Sequence, residues 1–311
     1  MRIGLVGIGA IARKQHLPAI AGEAGVTLVA AASRNATLPH VPTFPSITKM
    51  LAEGPELDAV ILCAPPHVRT PMAHEAIRAG KHVFLEKPPG QTISEVLALQ
   101  AAARDKGVTL FATWHSRYAP AVEAFRSAMA NHPPRSVDVI WKEDVRVYHP
   151  GQEWIWQAGG YGVFDPGINA VSILTHALPR PFFAVSGTLF VPQNAVQPMR
   201  AELKFTDSAG LPIACTFDFD HPDPPTWTMI VKTDGPTLTL TRGGEKLERD
   251  GETVVDAKEQ EYPHLYARFA DLCARGASDV DLQPLIHVAD AWLLAERQPI
   301  APFSEDTPPK G

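Results

Sequence analysis

The first twelve residues of the chain, MRIGLVGIGAIA, restrict its fold more than any other stretch. An apolar run over residues 3–6 predicts a short strand that breaks at Gly7, and a helix-like segment follows. Gly7, Gly9 and Ala12 have the spacing of a dinucleotide-binding turn. Gly7 permits the tight turn, Gly9 lets the backbone approach a pyrophosphate, and the small Ala12 lets the helix lie close to the sheet. The alternative is an ordinary glycine turn between a strand and a helix.

Strands and helices alternate over the first 115 or so residues. The predicted strands are 3–6, 26–32, 58–63, 82–85 and 108–113, and the predicted helices are 10–22, 46–53, 68–79 and 92–106. Thr92 and Glu95 form a capping box at the start of the last of these helices, and Gly107 ends it. This order predicts an α/β fold with a Rossmann-type, doubly wound parallel sheet.

The pattern changes after Arg117, where strands follow one another without regular helices between them. Helices are predicted at 119–130, 167–177, 262–275 and 284–297, and strands at 136–147, 183–191, 199–206, 211–219, 226–233, 236–241 and 252–256. After Gln298 we expect irregular structure. We therefore predict a dinucleotide-binding domain over 1–117 and a substrate-binding α+β domain over 118–311. Its large sheet is expected to be mostly antiparallel with one open face, through which the chain pairs as a homodimer.

The composition argues against several classes of partner. Lys and Arg total 28 and Asp and Glu total 34, so the net charge is −6, whereas nucleic-acid binding favours a basic face. No apolar run approaches the roughly 20 residues of a membrane helix, and Met1 runs directly into a strand without a signal peptide. The three cysteines, Cys63, Cys215 and Cys273, have neither metal-ligand nor disulfide spacing. We expect a cytoplasmic protein with no metal, nucleic-acid or membrane partner.

Two residues at the end of the second strand bear on the choice of cofactor. A site that prefers NAD usually has Asp or Glu about 20 residues after the glycine turn, and none lies between Val29 and Ala36. Ser33 and Arg34 suit the 2′-phosphate of NADP better, because a guanidinium forms charge-assisted bonds to phosphate. We therefore favour NADP, with NAD also usable. Alternatively, Arg34 is a solvated loop residue or stacks on the adenine.

Further cofactor contacts are expected at the carboxyl ends of the parallel strands, where the ligand crevice of such folds lies. His67, which follows the predicted strand 58–63, either contacts the ribose or only begins the next helix. The residues expected at the cofactor are Gly7, Gly9, Ala10, Ile11, Ser33, Arg34, Ala64, Pro65, Pro66, His67, Glu86 and Lys87.

Lys87 is the first candidate for the chemistry. The strand 82–85 leads into Glu86-Lys87-Pro88-Pro89, in which the prolines stiffen the backbone. A lysine at this edge of the sheet holds a substrate hydroxyl or moves its proton, unless it is an ordinary surface lysine.

Asp165 and Asn169 are the second candidate pair. They are four residues apart, so they share one side of a helix that begins near Pro166. The alternative is that Asp165 only caps the helix.

These motifs together resemble a known family. GIGAIA at 7–12, EKPP at 86–89 and a glycine-rich run ending in Asp165-x-x-x-Asn169 resemble the glucose–fructose oxidoreductase and inositol dehydrogenase family over nearly the whole chain. That family usually has histidine where Asn169 stands, and the histidine is often assigned as the proton acceptor. More closely, the chain is similar to the bacterial NAD(P)-dependent aldose 1-dehydrogenases that act on L-arabinose and D-galactose. This similarity lies in CAPP at 63–66, LEKPPG at 85–90, LFATWHSR at 110–117, WKEDVR at 141–146, HPGQEWIW at 149–156 and GVFDPGIN at 162–169.

The resemblance implies an enzyme that oxidises a pyranose at C1 to the aldonolactone and passes the hydride to nicotinamide. It implies Lys87, Asp165 and Asn169 as the reacting group. Our hypothesis is that Lys87 and Asn169 hold the C1 oxygen while Lys87 and Asp165 relay its proton, with the formal base left open. Asn169 does not accept a proton at neutral pH, so it orients the substrate. The alternatives are oxidation at another carbon, reduction of an imine or enal, and a non-catalytic nucleotide-binding regulator.

The sugar needs hydrogen-bond partners and an apolar platform. Glu143 falls on the mainly apolar side of its predicted strand, where a carboxylate needs a partner such as a sugar hydroxyl or a buried cation. For the tryptophans, packing in the core is the alternative role. The residues expected at the substrate are His115, Glu143, His149, Trp154, Trp156 and Trp227.

Overall fold

The computed structural model describes residues 1–306, and two compact units are distinguished. One unit combines Met1–His115 with Gln260–Leu282. The other combines Ser116–Glu259 with the described residues from Gln283 onward. Residues 260–282 therefore group with the first unit, whereas their place in the sequence put them in the predicted second domain.

The helices and strands have the following bounds. The strands are β1 Arg2–Val6, β2 Thr27–Ala32, β3 Thr43–Phe44, β4 Ala59–Leu62, β5 His82–Leu85, β6 Leu110–Ala112, β7 Pro134–Lys142, β8 Phe182–Pro192, β9 Arg200–Asp207, β10 Ile213–Asp218, β11 Thr226–Thr233, β12 Thr237–Thr241, β13 Lys246–Arg249, β14 Glu252–Asp256 and β15 Glu296–Ile300. The α-helices are α1 Leu17–Gly22, α2 Ile47–Glu53, α3 Pro66–Arg78, α4 Ile93–Lys106, α5 Val122–Asn131, α6 Val145–Tyr148, α7 Phe164–Ala177, α8 Glu261–Arg275 and α9 Gln283–Leu294.

The first unit contains the predicted parallel sheet. Its strand order is β3-β2-β1-β4-β5-β6 and every pairing is parallel, which is the doubly wound Rossmann order. The residues of β4 are completely buried, as expected for a strand with both faces covered. The two-residue β3 was not predicted, because it is too short to show a period.

The helix that follows the glycine turn is irregular. Residues 10–22 are helical as predicted, but the turn Ala12–His16 has π-helical hydrogen bonding. Ala12 is completely buried, which agrees with the small residue that the spacing requires. The capping prediction for α4 is confirmed in part, since the Thr92 side chain accepts from the Glu95 N–H and Gly107 ends the helix in a left-handed conformation. The Glu95 carboxylate accepts from the Gln91 N–H, one residue before the N-cap.

The second unit contains one nine-stranded sheet in the order β14-β13-β12-β11-β7-β10-β9-β8-β15. Among the described strands, β7 with β10 and β8 with β15 are parallel pairs, and the other pairings are antiparallel. The mostly antiparallel sheet is therefore confirmed. Along β9 the small or apolar Ala201, Leu203 and Phe205 are buried, while the charged residues between them are exposed.

Three local predictions in this unit were wrong or incomplete. The strand predicted over 136–147 ends at Lys142, because Asp144 caps the short helix α6 by accepting from the Arg146 N–H. Val147, which lies in this helix, is 55% exposed. The strand β13 was not predicted. The irregular structure expected after Gln298 is wrong for Pro299 and Ile300, which belong to β15 and pair through their backbone with β8. Residues 301–306 form no helix or strand, as expected.

Within residues 1–306, no helix has the length and apolar character needed to cross a bilayer.

Candidate active site

The glycine turn in the first unit leaves backbone accessible where the spacing predicts a pyrophosphate. Gly7 has a φ of +95°, and a Cβ on it would lie 2.8 Å from the Ala64 nitrogen, so other residues fit poorly there. A Cβ on Gly9 would meet no described protein atom within 4 Å. Ala10 and Ile11, at the start of the helix, are exposed. The turn thus fits a dinucleotide: it offers open space in front of a helix N-terminus.

Ser33 and Arg34 follow β2 directly. The Ser33 N–H donates to the Phe44 carbonyl at 2.9 Å, which holds the end of the strand. The Arg34 side chain is exposed and forms no hydrogen bond or ion pair with any residue that the structure describes. Its guanidinium is therefore accessible to a phosphate or to an adenine.

The loop after β4 leads straight into α3. Ala64 and Pro66 are buried, Pro65 is half-buried, and Pro66 is the first residue of the helix. His67 is exposed in the first helical turn.

Glu86 is the centre of a buried polar network in the first unit. It is 3% exposed, and its Oε1 accepts hydrogen bonds from His16 Nε2 at 2.8 Å and from the Tyr262 hydroxyl at 2.7 Å. His16, which is completely buried, also bonds through Nδ1 to the Tyr266 hydroxyl at 2.8 Å. His16 comes from the π-helical turn, and π turns often re-aim side chains at functional sites.

The network holds its two central residues in charged form. Burial alone lowers the pKa of His16, but the neighbouring Cys63 and Glu86 outweigh it and raise the pKa to about 10. Burial likewise raises the pKa of Glu86, but hydrogen bonds and charges from His16, His115 and Tyr262 lower it well below its ordinary value. His16 and Glu86 therefore form a buried imidazolium–carboxylate pair.

Lys87 is presented next to this pair. Its backbone N–H donates to Glu86 Oε2 at 2.8 Å, so the carboxylate fixes the backbone of the neighbouring residue. Arg69 reaches the same stretch from α3, where its guanidinium donates to the carbonyls of Glu86 and Pro88.

His115 lies in the same region of the first unit. Its Nδ1 is 2.5 Å from Glu261 Oε2, and its ring stacks on Tyr262. Burial opposes its protonation, the charges of Glu261 and Glu86 raise the pKa of His115, and the charge of Lys87 lowers it. His115 thus lies close enough to Lys87 for the lysine charge to affect its pKa. The sequence analysis selected these two residues for separate roles.

Asp165 and Asn169 lie on α7 in the second unit. The helix begins at Phe164, so Asp165 is inside the first turn and is not the N-cap, which is Val163. Asp165 is 4% exposed and Asn169 is half-buried. The chain enters this helix through Gly162, whose φ is +52° and where a Cβ would collide with the Pro198 carbonyl.

Glu143 and His149 form a cluster with Asp165. His149 Nε2 is 3.6 Å from Glu143 Oε1 and 3.6 Å from Asp165 Oδ2. Glu143 is 4% exposed, and its other oxygen accepts a hydrogen bond from Trp227 Nε1 at 2.8 Å. Two buried carboxylates thus lie near the same imidazole nitrogen, at distances longer than ordinary hydrogen bonds.

Aromatic rings border this cluster. Trp227 stacks on Trp141 with ring centroids 6.1 Å apart and meets Tyr148 edge-on at 5.4 Å. Trp156 packs against Phe219, which also contacts the His149 ring. The indole of Trp154 donates to Gln152 in its own loop. Trp227 is therefore bonded directly to the carboxylate cluster, and Trp156 is linked to it through Phe219.

Sequence reasoning missed four residues that organise the first unit: His16, Arg69, Tyr262 and Glu261. Each lies in a helix or at its start, and nothing in the local pattern distinguishes them from surface residues. The one available signal was Glu86, since a carboxylate directly after a buried strand needs partners.

The chain is similar in sequence to known oxidoreductases. The GFO/IDH/MocA family pattern, described as "Oxidoreductase family, NAD-binding Rossmann fold", matches residues 1–113. Galactose 1-dehydrogenase from Pseudomonas fluorescens is 42% identical over 307 residues, covering 97% of this chain and 98% of that protein.

Solved structures are also similar to this chain over nearly its whole length. The crystal structure of D-galactose-1-dehydrogenase from Rhizobium etli is similar with a TM-score of 0.93 and 50% identity, covering 97% of each chain. A 3-ketoreductase from Actinomadura kijaniata, solved with NADP and TDP-benzene, has a TM-score of 0.85 at 20% identity, covering 96% of this chain and 99% of that one. The latter likeness shows a shared fold.

Proposed function

Because the chain belongs to the GFO/IDH/MocA family of oxidoreductases, we propose that it is an NAD(P)-dependent aldose 1-dehydrogenase. It oxidises D-galactose and L-arabinose at C1 to the aldonolactones. The single observation that carries this function is the near full-length similarity to galactose 1-dehydrogenases. The two sugars share their configuration from C1 to C4 and differ at C5, so one pocket accepts both.

The cluster in the second unit supports a ligand rich in hydroxyl groups. Glu143 and Asp165 are both 4% exposed, and a buried carboxylate is costly unless hydrogen-bond donors surround it. His149 Nε2 lies 3.6 Å from an oxygen of each carboxylate, beyond ordinary hydrogen-bond length. Sugar hydroxyls donate to such oxygens, and the adjacent Trp227 offers the apolar face that a pyranose ring packs against.

The cofactor is a nicotinamide dinucleotide, which supplies the hydride acceptor when bound. Gly7, Gly9 and the start of the helix at Ala10 would hold its pyrophosphate. Ser33 and Arg34 would face the adenosine ribose, and Ala64 and its neighbouring prolines would line the crevice.

We assign different roles in the reaction to Lys87, Asp165 and Asn169. Removal of hydride from C1 becomes easier as the C1 hydroxyl loses its proton, so a group that holds or takes this proton accelerates the step. We assign Lys87 and Asn169 to the C1 oxygen and assign the relay of the proton to Lys87 with Asp165. Asn169 orients the oxygen, because an amide does not accept a proton at neutral pH.

Steady-state assays with a panel of aldoses test this function. We expect NADP+ reduction with D-galactose and L-arabinose, and little with sugars of the opposite configuration at C4. Activity on inositol but on no aldose would instead place the reaction at another carbon. No activity on any sugar, together with retained nucleotide binding, would support a non-catalytic regulator.

Replacing Arg34 by alanine tests the preference for NADP. If the guanidinium binds the 2′-phosphate, KM for NADP+ rises about 10- to 100-fold, which corresponds to about 1.5–3 kcal/mol for a charged hydrogen bond, while KM for NAD+ stays within about twofold. KM for each cofactor at saturating sugar is the measurement. An equal loss for both cofactors would mean that Arg34 stacks on the adenine.

We also propose a cytoplasmic homodimer. The exposed apolar side chains of Phe183 and Val185 on β8 support pairing through this sheet. The three cysteines, Cys63, Cys215 and Cys273, are all free thiols, which suits a reducing compartment.

A further inference from the structure

Arg69 is a buried cation whose hydrogen bonds join two loops of the first unit. It lies in the first turn of α3 and is 2% exposed. Its Nε and Nη2 both donate to the Ala64 carbonyl, at 2.9 and 2.6 Å, and its Nη1 donates to the carbonyls of Glu86 and Pro88. One guanidinium thus ties the loop after β4 to the loop after β5.

This arrangement depends on the shape of arginine. A guanidinium presents five N–H donors in a rigid planar fork, so it reaches three carbonyls in different directions at once. A lysine ammonium is a single point on a flexible chain, and its shorter reach leaves at least one of these buried carbonyls without a donor.

The two carbonyls bound by Nη1 belong to the residues on either side of Lys87. The Lys87 N–H between them donates to the Glu86 side chain at 2.8 Å. The backbone around Lys87 is therefore held at three points. Arg69 binds the carbonyls of Glu86 and Pro88, and the Glu86 carboxylate binds the N–H of Lys87 itself.

We infer that Arg69 is a positioning residue for Lys87: it sets the direction in which the lysine leaves the backbone and couples it to the Ala64 loop. The inference rests on the proposed function insofar as Lys87 acts on the substrate. A displacement of about 1 Å in a reacting group costs on the order of a hundredfold in rate.

The test is a double-mutant cycle with Arg69→Lys and Lys87→Ala. Arg69→Lys alone should lower kcat for galactose oxidation about 10- to 100-fold at saturating substrates. In the Lys87→Ala background the same substitution should change kcat less than about threefold, because the group that it positions is absent. Arg78→Lys, the same change at an exposed position of α3, is the matched control and should leave kcat unchanged.

Two outcomes would overturn the inference. One is a kcat for Arg69→Lys within about twofold of the unsubstituted enzyme. The other is an equal loss in both backgrounds, which is the result expected of a purely structural residue.

Hydrogen exchange separates this inference from the proposed function. The peptide that contains the Lys87 amide should exchange faster in Arg69→Lys than in Arg78→Lys, whether or not any aldose is oxidised. If the unsubstituted protein oxidises no aldose, the proposed function fails. Faster exchange in that case still supports the clamp, and unchanged exchange rejects it.

Discussion

Replacing Lys87 by alanine should lower kcat for aldose oxidation by about a thousandfold. The substitution removes the group that we assign to the C1 oxygen and its proton, and positioned acid–base groups contribute typically about 10²–10⁴-fold to a rate. The measurement is the steady-state kcat with D-galactose at saturating NADP+. The affinity for NADP+, measured by fluorescence titration in the absence of sugar, should change little, because the glycine turn holds the pyrophosphate.

Lys106→Ala is the control for this substitution. Lys106 is an exposed lysine at the end of α4, in the same unit as Lys87, and its loss should leave kcat unchanged. If Lys87→Ala retains kcat within about threefold of the unsubstituted enzyme, Lys87 has no part in the chemistry. If it abolishes NADP+ binding, Lys87 belongs to the cofactor site instead.

Replacing Glu86 by glutamine should destabilise the protein by about 3–5 kcal/mol, because removal of one partner leaves a buried charge uncompensated. His16 and Glu86 are completely buried or nearly so, and the Tyr262 hydroxyl and the Lys87 N–H donate to the same carboxylate. An amide nitrogen has no lone pair to accept these bonds. Thermal denaturation at pH 6 should show a midpoint lower by about 10 °C.

The destabilisation should depend on pH with a definite sign. The pKa of His16 is raised from 6.5 to about 10, so the stability that it contributes is fully present below about pH 6.5 and is lost as pH rises toward 10. The pKa of Glu86 is lowered, so its contribution is present above about pH 4.5 and is lost as pH falls. The pair of His16 and Glu86 therefore stabilises the fold most between about pH 4.5 and pH 6.5. The free energy of unfolding of the unsubstituted protein exceeds that of Glu86→Gln, and this excess should shrink as pH rises above 6.5. The decrease should be at most about 1.4 kcal/mol per pH unit.

Glu56→Gln is the matched control, since Glu56 forms an exposed ion pair with Arg2 at 3.0 Å. Such exposed pairs contribute little to stability, so the midpoint of Glu56→Gln should move little at any pH. If Glu86→Gln lowers the thermal midpoint no more than Glu56→Gln does, the buried pair does not stabilise the fold. A constant difference from pH 6 to 10 would show that His16 is not charged.

Much of the first unit was predictable because its signals are local. The spacing of Gly7, Gly9 and Ala12 follows from what one turn requires. The buried strands read as apolar runs, and Thr92 caps the helix that it precedes. The candidate side chains Lys87 and Asp165 were found through motifs, which are also local. The edge strand β15 was missed for the opposite reason: its residues carry no period, and only the neighbouring β8 makes it a strand.

The sequence by itself thus determined the parallel sheet, the glycine turn and the identity of the candidate reacting groups. Only the tertiary structure decided which polar side chains are buried together. Glu86 bonds to His16, 70 positions away, and to Tyr262, 176 positions away. Arg69 acquires its three carbonyls only when two strands have paired and α3 has packed. Burial and long-range pairing are properties of the folded chain, because the desolvation that makes these bonds matter does not exist in an isolated segment.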